Sequence, residues 1–376
     1  MQVSFWEAQS FYAHKDVIIV GAGLAGLWSA YELYKLDNAL KILILDKGLI
    51  PQGASTRNAG FACFGSPTEL LNDCDLLGED KMWDVAEMRY KGIQKTKEHF
   101  NEHLIEWDGC GGYELLKTGY GGLLELNEKL EWLNKGLAHI TGLPQTFARD
   151  DDKLKSFGFK GFAGLVQNPL EAGLNSGKLV QALTKMVLGV GIEILSSAAV
   201  TLWEAGEEKT RIEINNYIKL TANKLLFCAN AFTSGLIKNI QVTPARGQIL
   251  LTTPIEGLAL KGTFHYDEGY YYFRNLGNRV LIGGARNKAV EEETTTELET
   301  TAIIQNELES FLQKHILSGQ NFTVEQRWSG IMGFTKTKLP EATQVAPNVF
   351  ALITCNGMGV ALAPIMAEKA AALVLG

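Results

Sequence analysis

Apolar and polar positions along this chain fall into two periods, and the switches between them divide it into elements. Val17-Ile18-Ile19-Val20 is a run of four β-branched apolar residues, the mark of a strand buried on both faces. After a glycine-rich break, Leu24, Leu27, Ala30, Tyr31 and Leu33 recur at spacings of three and four and predict a helix. A second buried strand, Ile42-Leu43-Ile44-Leu45, runs into Asp46. From Pro67 to about Thr146 the pattern is mostly helical. Residues 78–106 carry Met82, Val85, Met88, Ile93 and Phe100 against charged faces, and 123–138 is similar. Between them, Cys110-Gly111-Gly112-Tyr113-Glu114-Leu115-Leu116 predicts a glycine turn entering a short strand.

The strand-rich pattern then returns, with a helix over 179–190, strands over 191–195 and 199–202, a hairpin over 212–220 and a buried strand over 224–231. Tyr270 to Arg274, a turn at 275–278 and Arg279 to Gly284 predict a hairpin, whose period of two puts Tyr270, Tyr272 and Arg274 on one face. The glutamates at 291–293 are expected in a solvated turn and 297–317 as a surface helix. Val349 to Thr354 is expected as a strand, Asn356 to Gly359 as a glycine turn and Ala361 to Leu375 as a helix, with Pro364 tolerated near its start. The aromatic lead-in, Phe5, Trp6, Phe11 and Tyr12, is expected to pack on the outside of the sheet.

The first strand–glycine–helix corner has the chemistry of a dinucleotide site. Gly21 permits a tight turn, Gly23 lets backbone approach a pyrophosphate, and Gly26 lets the helix lie close on the sheet, so that unpaired amides point at the phosphates. Asp46, at the end of the second strand, can accept both hydroxyls of a ribose. Residues 53–65 form a long loop of small residues, suited to lying along a flat or phosphorylated ligand. A second glycine turn, at 357–359, enters the last helix, as a ligand longer than a phosphate group would need.

With 376 residues, 46% of them hydrophobic and 20% charged, the chain is an ordinary globular protein, long enough for two domains. Its net charge of −7 comes without a Lys/Arg cluster, which argues against nucleic acid and anionic membranes as partners. No apolar run reaches the length of a membrane span, and residues 1–15 have no signal-peptide core, so a cytoplasmic location is expected. The five cysteines include no CxxC pair and are expected as reduced thiols. Helical spacing would put His99 and His103 on one face, with no third ligand nearby, so no metal centre is expected.

Taken together, these features resemble the family of FAD-dependent amine and amino-acid oxidoreductases that includes D-amino acid oxidase, glycine oxidase and monomeric sarcosine oxidase. The resemblance implies an α/β fold: a Rossmann-type FAD-binding domain with an interleaved α+β substrate domain built on a mixed β-sheet. The FAD-binding domain would comprise 1–66, 147–243 and 325–376, and the substrate domain 67–146 and 244–324. The cofactor residues implied are Gly21, Gly23, Leu24, Ala25, Gly26, Asp46 and Lys47 at the first corner. Ala54, Ser55, Arg57, Asn58, Ala59 and Gly60 follow in the second glycine-rich loop, then Val200 at the adenine, and Ala229 and Asn230 at a strand end. Gly333, Gly357, Met358, Gly359 and Val360 complete the set beside the flavin. Tyr270, Tyr272, Arg274, Trp328 and Met332 would face the substrate.

Met332 stands where the amino-acid oxidases carry a carboxylate-binding arginine, which leaves Arg57 or Arg274 for that contact. No cysteine lies in 328–335, where sarcosine oxidase attaches its flavin, so FAD is expected to be non-covalent. Leu281 stands at the position of sarcosine oxidase's oxygen-activating lysine, so O2 or another electron acceptor remains open. The implied reaction moves a hydride from the carbon beside an amine nitrogen to flavin N5, giving an imine, with no side-chain base assigned. An aromatic wall holds an ammonium by ~0.5–2 kcal/mol, whereas burial can lower its pKa by up to ~3–5 units, so the neutral amine is expected to win. The alternatives are a NAD-dependent dehydrogenase, sharing the first corner, and a flavin-binding subunit without catalysis of its own.

Overall fold

Val17 to Val20 does form the inner strand of a parallel sheet in the computed structural model, which describes residues 2–118, 123–353 and 355–376. Lys15–Val20 lies between Ile42–Leu45 and Ile218–Phe227, with Val17 opposite both Ile42 and Lys224. Beyond them stand Glu193–Leu195 on one side, and Val349–Ile353 with the antiparallel Glu341–Ala346 on the other. The chain folds into two compact units, and this sheet belongs to the first, made of residues 1–57, 176–245 and 332–376.

Two helices of this unit, Leu24–Leu36 and Gly359–Leu375, pack against each other. Leu27, Ala30 and Leu33 on one and Ala363, Ala367 and Ala371 on the other are buried, and their small size permits close approach. No helix among the described residues is long and apolar enough to cross a membrane.

The second unit comprises residues 58–175 and 246–331. Its sheet runs in the order Arg279–Gly284, Tyr271–Leu276, Thr263–Tyr266, Gly112–Lys117, Phe162–Asn168, with a parallel step between Thr263–Tyr266 and Gly112–Lys117. Period two separates its faces. On one, Tyr113, Phe264 and Phe273 join Phe157, Phe159 and Phe311 in an aromatic core, with the Phe264 and Phe273 rings stacked 4.8 Å apart. On the other, direct cross-strand partners form the row Gly283, Tyr272, His265, Glu114, Val166, and beside it the row Leu281, Arg274, Thr263, Gly112, Asn168. This second face is polar, and it too is buried: Glu114 is 2% exposed and His265 4%.

The structure departs from the sequence expectation in several places. Residues 53–65 contain a helical turn, Ala54–Arg57, and a short strand, Phe61–Ala62, rather than an open loop. The strand forms because its backbone pairs with Ala172–Gly173. Phe5, Trp6 and Phe11 are 64%, 77% and 55% exposed, since the short helix Phe5–Gln9 buries no residue. Glu293 is not solvated but buried, and its carboxylate takes two hydrogen bonds from Arg246 at 2.8 and 2.9 Å. The surface helix runs over Ala302–Phe311 and then loosens into a π-helical turn, Leu312–Ile316, with Ile304, Leu308, Leu312 and Ile316 buried. His99 and His103 lie on separate helices, because the chain leaves the helix at Phe100 and restarts at Asn101. The strand from Val349 ends at Ile353, and Thr354 lies outside the described residues. Residues 58–66, 147–175 and 325–331, expected in the FAD-binding domain, belong to the second unit, where Phe162–Asn168 pairs with Gly112–Lys117, and 244–245 belong to the first.

Glu114 accepts hydrogen bonds from Ser66 Oγ at 3.1 Å, from Thr68 N at 3.0 Å and from Thr68 Oγ1. Burial nevertheless outweighs these bonds and raises its pKa from 4.5 to about 7. The folded chain therefore keeps a proton that the unfolded chain releases near pH 4.5, so Glu114 lowers stability as pH rises from 4.5 through 7. Glu114→Gln mimics the protonated form. Its thermal midpoint should fall less over that window than that of the unmodified chain, and parallel curves would refute the assignment.

Candidate cofactor and substrate sites

The glycine corner of the first unit is built by contacts that leave no room for side chains. Gly21 has φ +111°, and a Cβ there would lie 2.6 Å from Cys228 O. A Cβ on Gly26 would meet Gly21 O at 1.8 Å, which is the close helix–sheet approach the sequence predicts. Asp46 takes Ala22 N on Oδ2 at 2.8 Å and Gly48 N on Oδ1 at 2.9 Å. Two backbone amides thus orient the carboxylate, and each oxygen keeps a lone pair for a ribose hydroxyl. Ser55 Oγ accepts Leu24 N at 2.9 Å and ties its helical turn to the start of the Leu24–Leu36 helix. That helix has no side-chain cap at Gly23 and no acid in its first turn. Ala25 is half-buried, and Lys47 Nζ lies 3.3 Å from the centre of the Phe232 ring.

The other predicted cofactor residues of this unit gather around the last helix and the strand end at Phe227. Gly359–Leu375 starts at Met358 without a side-chain cap or an acid in its first turn, and a Cβ on Gly359 would meet nothing within 4 Å. Gly357 has φ +87°, and a Cβ there would lie 3.7 Å from Met332 Sδ. Asn356 Oδ1 accepts Thr335 N at 2.9 Å and joins this turn to the segment that carries Met332 and Gly333. A Cβ on Gly333 would meet Asn230 Oδ1 and Ala231 N at 3.0 Å, so Gly333 lies on the Ala229–Asn230 strand end. Val200 opens the strand Val200–Glu204, and Val360 is buried. Space at Gly359, two helix starts without an acid in the first turn and an oriented Asp46 suit a long anionic ligand with a ribose, which is the shape and charge of FAD.

In the second unit the polar face carries a buried network that sequence reasoning did not assemble. His265 Nε2 lies 3.1 Å from Glu171 Oε2, and its Nδ1 lies 3.5 Å from Glu69 Oε2. Burial opposes its charge, but Glu171, Glu69 and Glu114 raise its pKa to about 9. Burial also works against the Glu69 carboxylate, yet His265 and Ser66 hold its pKa below the ordinary value. The Cys63 thiol is pushed up by burial, with Glu171 and Glu69 adding to it. The signal for these residues is a polar position at period two inside an apolar strand, as in Tyr113-Glu114-Leu115 and Phe264-His265-Tyr266.

Tyr272 and Arg274 share this face as predicted, while Tyr270 lies outside the strand and is 37% exposed. Tyr272 is half-buried, and its ring meets the Phe61 ring edge-on at 6.0 Å, as Phe61 meets His265 at 5.3 Å. Arg274, one of the two arginines to which the sequence left a substrate-carboxylate contact, is committed to backbone carbonyls. It is 4% exposed and donates from Nη1 to Gly60 O at 2.6 Å and Leu174 O at 3.1 Å, and from Nε to Asn275 O at 3.3 Å. Its guanidinium latches the Gly60 turn to Leu174. Asn58 Oδ1 closes that turn by accepting Gly60 N at 2.8 Å. Ala54, Arg57 and Ala59 are half-buried around the same stretch, and Trp328 is half-buried in the strand Val324–Phe334.

Known proteins resemble this chain over nearly its whole length. "Probable oxidoreductase OrdL" of Haemophilus influenzae is 23% identical over 380 aligned residues, covering 96% of this chain and 83% of its own. L-proline dehydrogenase from P. horikoshii superposes with a TM-score of 0.75 at 15% identity, covering 96% of this chain and 93% of that one. Glycine oxidase from Bacillus cereus ATCC 14579 also scores 0.75, at 17% identity, covering 96% and 95%. At these identities the two structures establish the shared fold. The profile of the family described as "DAO: FAD dependent oxidoreductase" matches residues 16–373, and the chain therefore belongs to this family of FAD-dependent oxidoreductases.

Proposed function

We propose that the protein oxidises the C–N bond of a small amine or amino-acid-like substrate, giving an imine that water hydrolyses. FAD, which Asp46 and the glycine turns would hold, would supply the two-electron acceptor for the hydride on the carbon beside nitrogen. The observation that carries the substrate class is the charge of the polar face. The buried Glu114 and Glu171 and the half-buried Glu69 stand around the cation His265, while the neighbouring cations are committed elsewhere, Arg89 to Asp73 and Arg274 to backbone carbonyls. Around His265 the glutamates outnumber the imidazolium, which favours an ammonium there. A glycerophosphate oxidase shares the fold with a TM-score of 0.74, so the fold alone does not choose between amine and alcohol donors, and the glutamates around His265 are what support the amine reading.

In this reading Tyr272 and Phe61 present the aromatic surface to the substrate, and Trp328 extends it. Burial raises the Tyr272 pKa to about 12, so it stays a phenol and can donate a hydrogen bond. Arg274 is not assigned to a substrate carboxylate, because its guanidinium donates to the carbonyls of Gly60 and Leu174. The amides at the start of Gly359–Leu375 stabilise negative charge without a side-chain cation. FAD is held non-covalently through Asp46 and the glycine turns. The nearby carboxylates oppose the desolvation that would strip the amine of its proton, so its deprotonation moves to higher pH than burial alone would set.

Three outcomes follow from these assignments. Anaerobic mixing with a panel of amines, amino acids and glycerol phosphate should bleach the flavin with an amine or amino acid only; bleaching by glycerol phosphate alone would overturn the substrate class. Repeating the panel with oxygen distinguishes an oxidase from a dehydrogenase. With a substrate in hand, the stopped-flow rate of flavin reduction should rise with pH as the ammonium loses its proton, and a flat profile would contradict hydride loss from the free amine. Gly359→Ala has room for its methyl and should stay yellow, whereas Gly359→Asp should lose flavin while keeping its circular dichroism. A yellow Gly359→Asp would sink the role given to the last helix.

A further inference from the structure

We propose that Cys63, Glu171 and His265 form a divalent-metal site in the second unit, of the class that takes Zn2+. One ligand atom from each, Sγ, a carboxylate oxygen and an imidazole nitrogen, lies within 4.8 Å of the other two. All three residues are buried, at 7%, 2% and 4% exposure. They come from segments far apart in sequence, so no spacing motif announces them.

Backbone pairing builds the site. Phe61–Ala62 runs antiparallel to Ala172–Gly173, with Phe61 opposite Gly173 and Ala62 opposite Ala172. The next step of that register sets Cys63 opposite Glu171. His265 comes from the strand Thr263–Tyr266, where Thr263 pairs with Gly112. Gly112 is what admits the glutamate: a Cβ there would lie 2.0 Å from Glu171 Oε2, the same oxygen that faces His265 Nε2.

The surroundings have the form of a metal shell. Glu69 faces His265 Nδ1 at 3.5 Å, the carboxylate–histidine arrangement that fixes the tautomer of a ligating imidazole and leaves Nε2 for the metal. Thr263 Oγ1 and Asn168 Nδ2 lie 3.5 and 3.4 Å from the Glu171 carboxylate and hold its orientation. A cavity of about 10 Å³ beside two of the three ligands, Glu171 and His265, lined also by Ser66, Glu114 and Asn168, has room for one water. A thiolate, an imidazole and a carboxylate with an open fourth position form a tetrahedral, borderline-soft donor set suited to Zn2+. On binding, the Cys63 thiol and the His265 imidazolium each release a proton to solvent. Two positive charges enter as two leave, so the buried cluster keeps its net charge. The metal would pin the Cys63 and Glu171 segments to the sheet beneath the Phe61 and Tyr272 rings.

The test is metal content and spectroscopy of the purified holoenzyme. Protein grown with added zinc and freed of loose metal should carry one zinc per chain by elemental analysis. Cys63→Ser and His265→Gln, checked for folding by circular dichroism, should each hold roughly tenfold less or lower. Independently of any variant, the metal-free chain titrated with Co2+ should give the ligand-field bands of a tetrahedral thiolate-bound ion, at longer wavelengths than oxidised flavin absorbs. A chain that carries no zinc and gives no such bands overturns the proposal, as does zinc content unchanged in both variants.

Discussion

Gly26 has no space for even a methyl group, because the Gly21 carbonyl oxygen occupies the place where a Cβ would go. Everything in the first unit follows from that close approach. It brings the start of Leu24–Leu36 to the carboxyl ends of the strands, where its amides have nothing of their own helix to bond. Asp46 and Ser55 take up the amides of Ala22 and Leu24, so each becomes rigid as part of the same corner. A flexible carboxylate would have to be ordered when a ribose binds, whereas one already held by two amides loses little entropy.

The second unit solves a different problem. Its sheet is covered on both sides, so each strand has to be apolar on one face and still not expose the other. The Phe264, Phe273 and Phe311 face is ordinary packing. The opposite face is buried but carries charge, and buried charge is tolerated only where groups are paired. This explains why Glu114, Glu69 and Glu171 all have partners and why Arg274 is consumed by carbonyls. Replacing any member by an apolar residue leaves its neighbours desolvated and unmatched, so the network stands or falls largely as a unit.

How much of this was legible in the sequence depends on how far each feature reaches along the chain. The glycine spacing and both flanking strands of the corner lie within residues 17–46, so local spacing revealed its shape, and Asp46 stands at the strand end where it accepts Ala22 N. The hairpin of Tyr271–Leu276 and Arg279–Gly284 was legible for the same reason. The role of Arg274 was not, because its carbonyl partners, Gly60 and Leu174, lie in segments 214 and 100 residues away. Glu293 was misread because a run of three glutamates suggests solvent, and its partners Arg246 and Gln248, 47 and 45 residues away, account for its burial. The aromatic lead-in was misread in the opposite sense: Phe5 and Trp6 are apolar, but five residues of helix offer no face long enough to bury them.

The two kinds of site also differ in what mutation can reach. The first corner recognises its ligand with backbone amides, which no substitution removes, so it is sensitive mainly to bulk or to charge of the wrong sign at its glycines. The polar face is built from coupled side chains, so in the proposed function its preference would change with the network and not with one residue alone. A family that keeps one cofactor while changing donors would be expected to divide its sites in this way. The cofactor end is then readable from glycines alone. The donor end depends on which carboxylates, imidazoles and guanidiniums the distant strands bring into register, and His265 opposite both Glu114 and Tyr272 is the register that matters here.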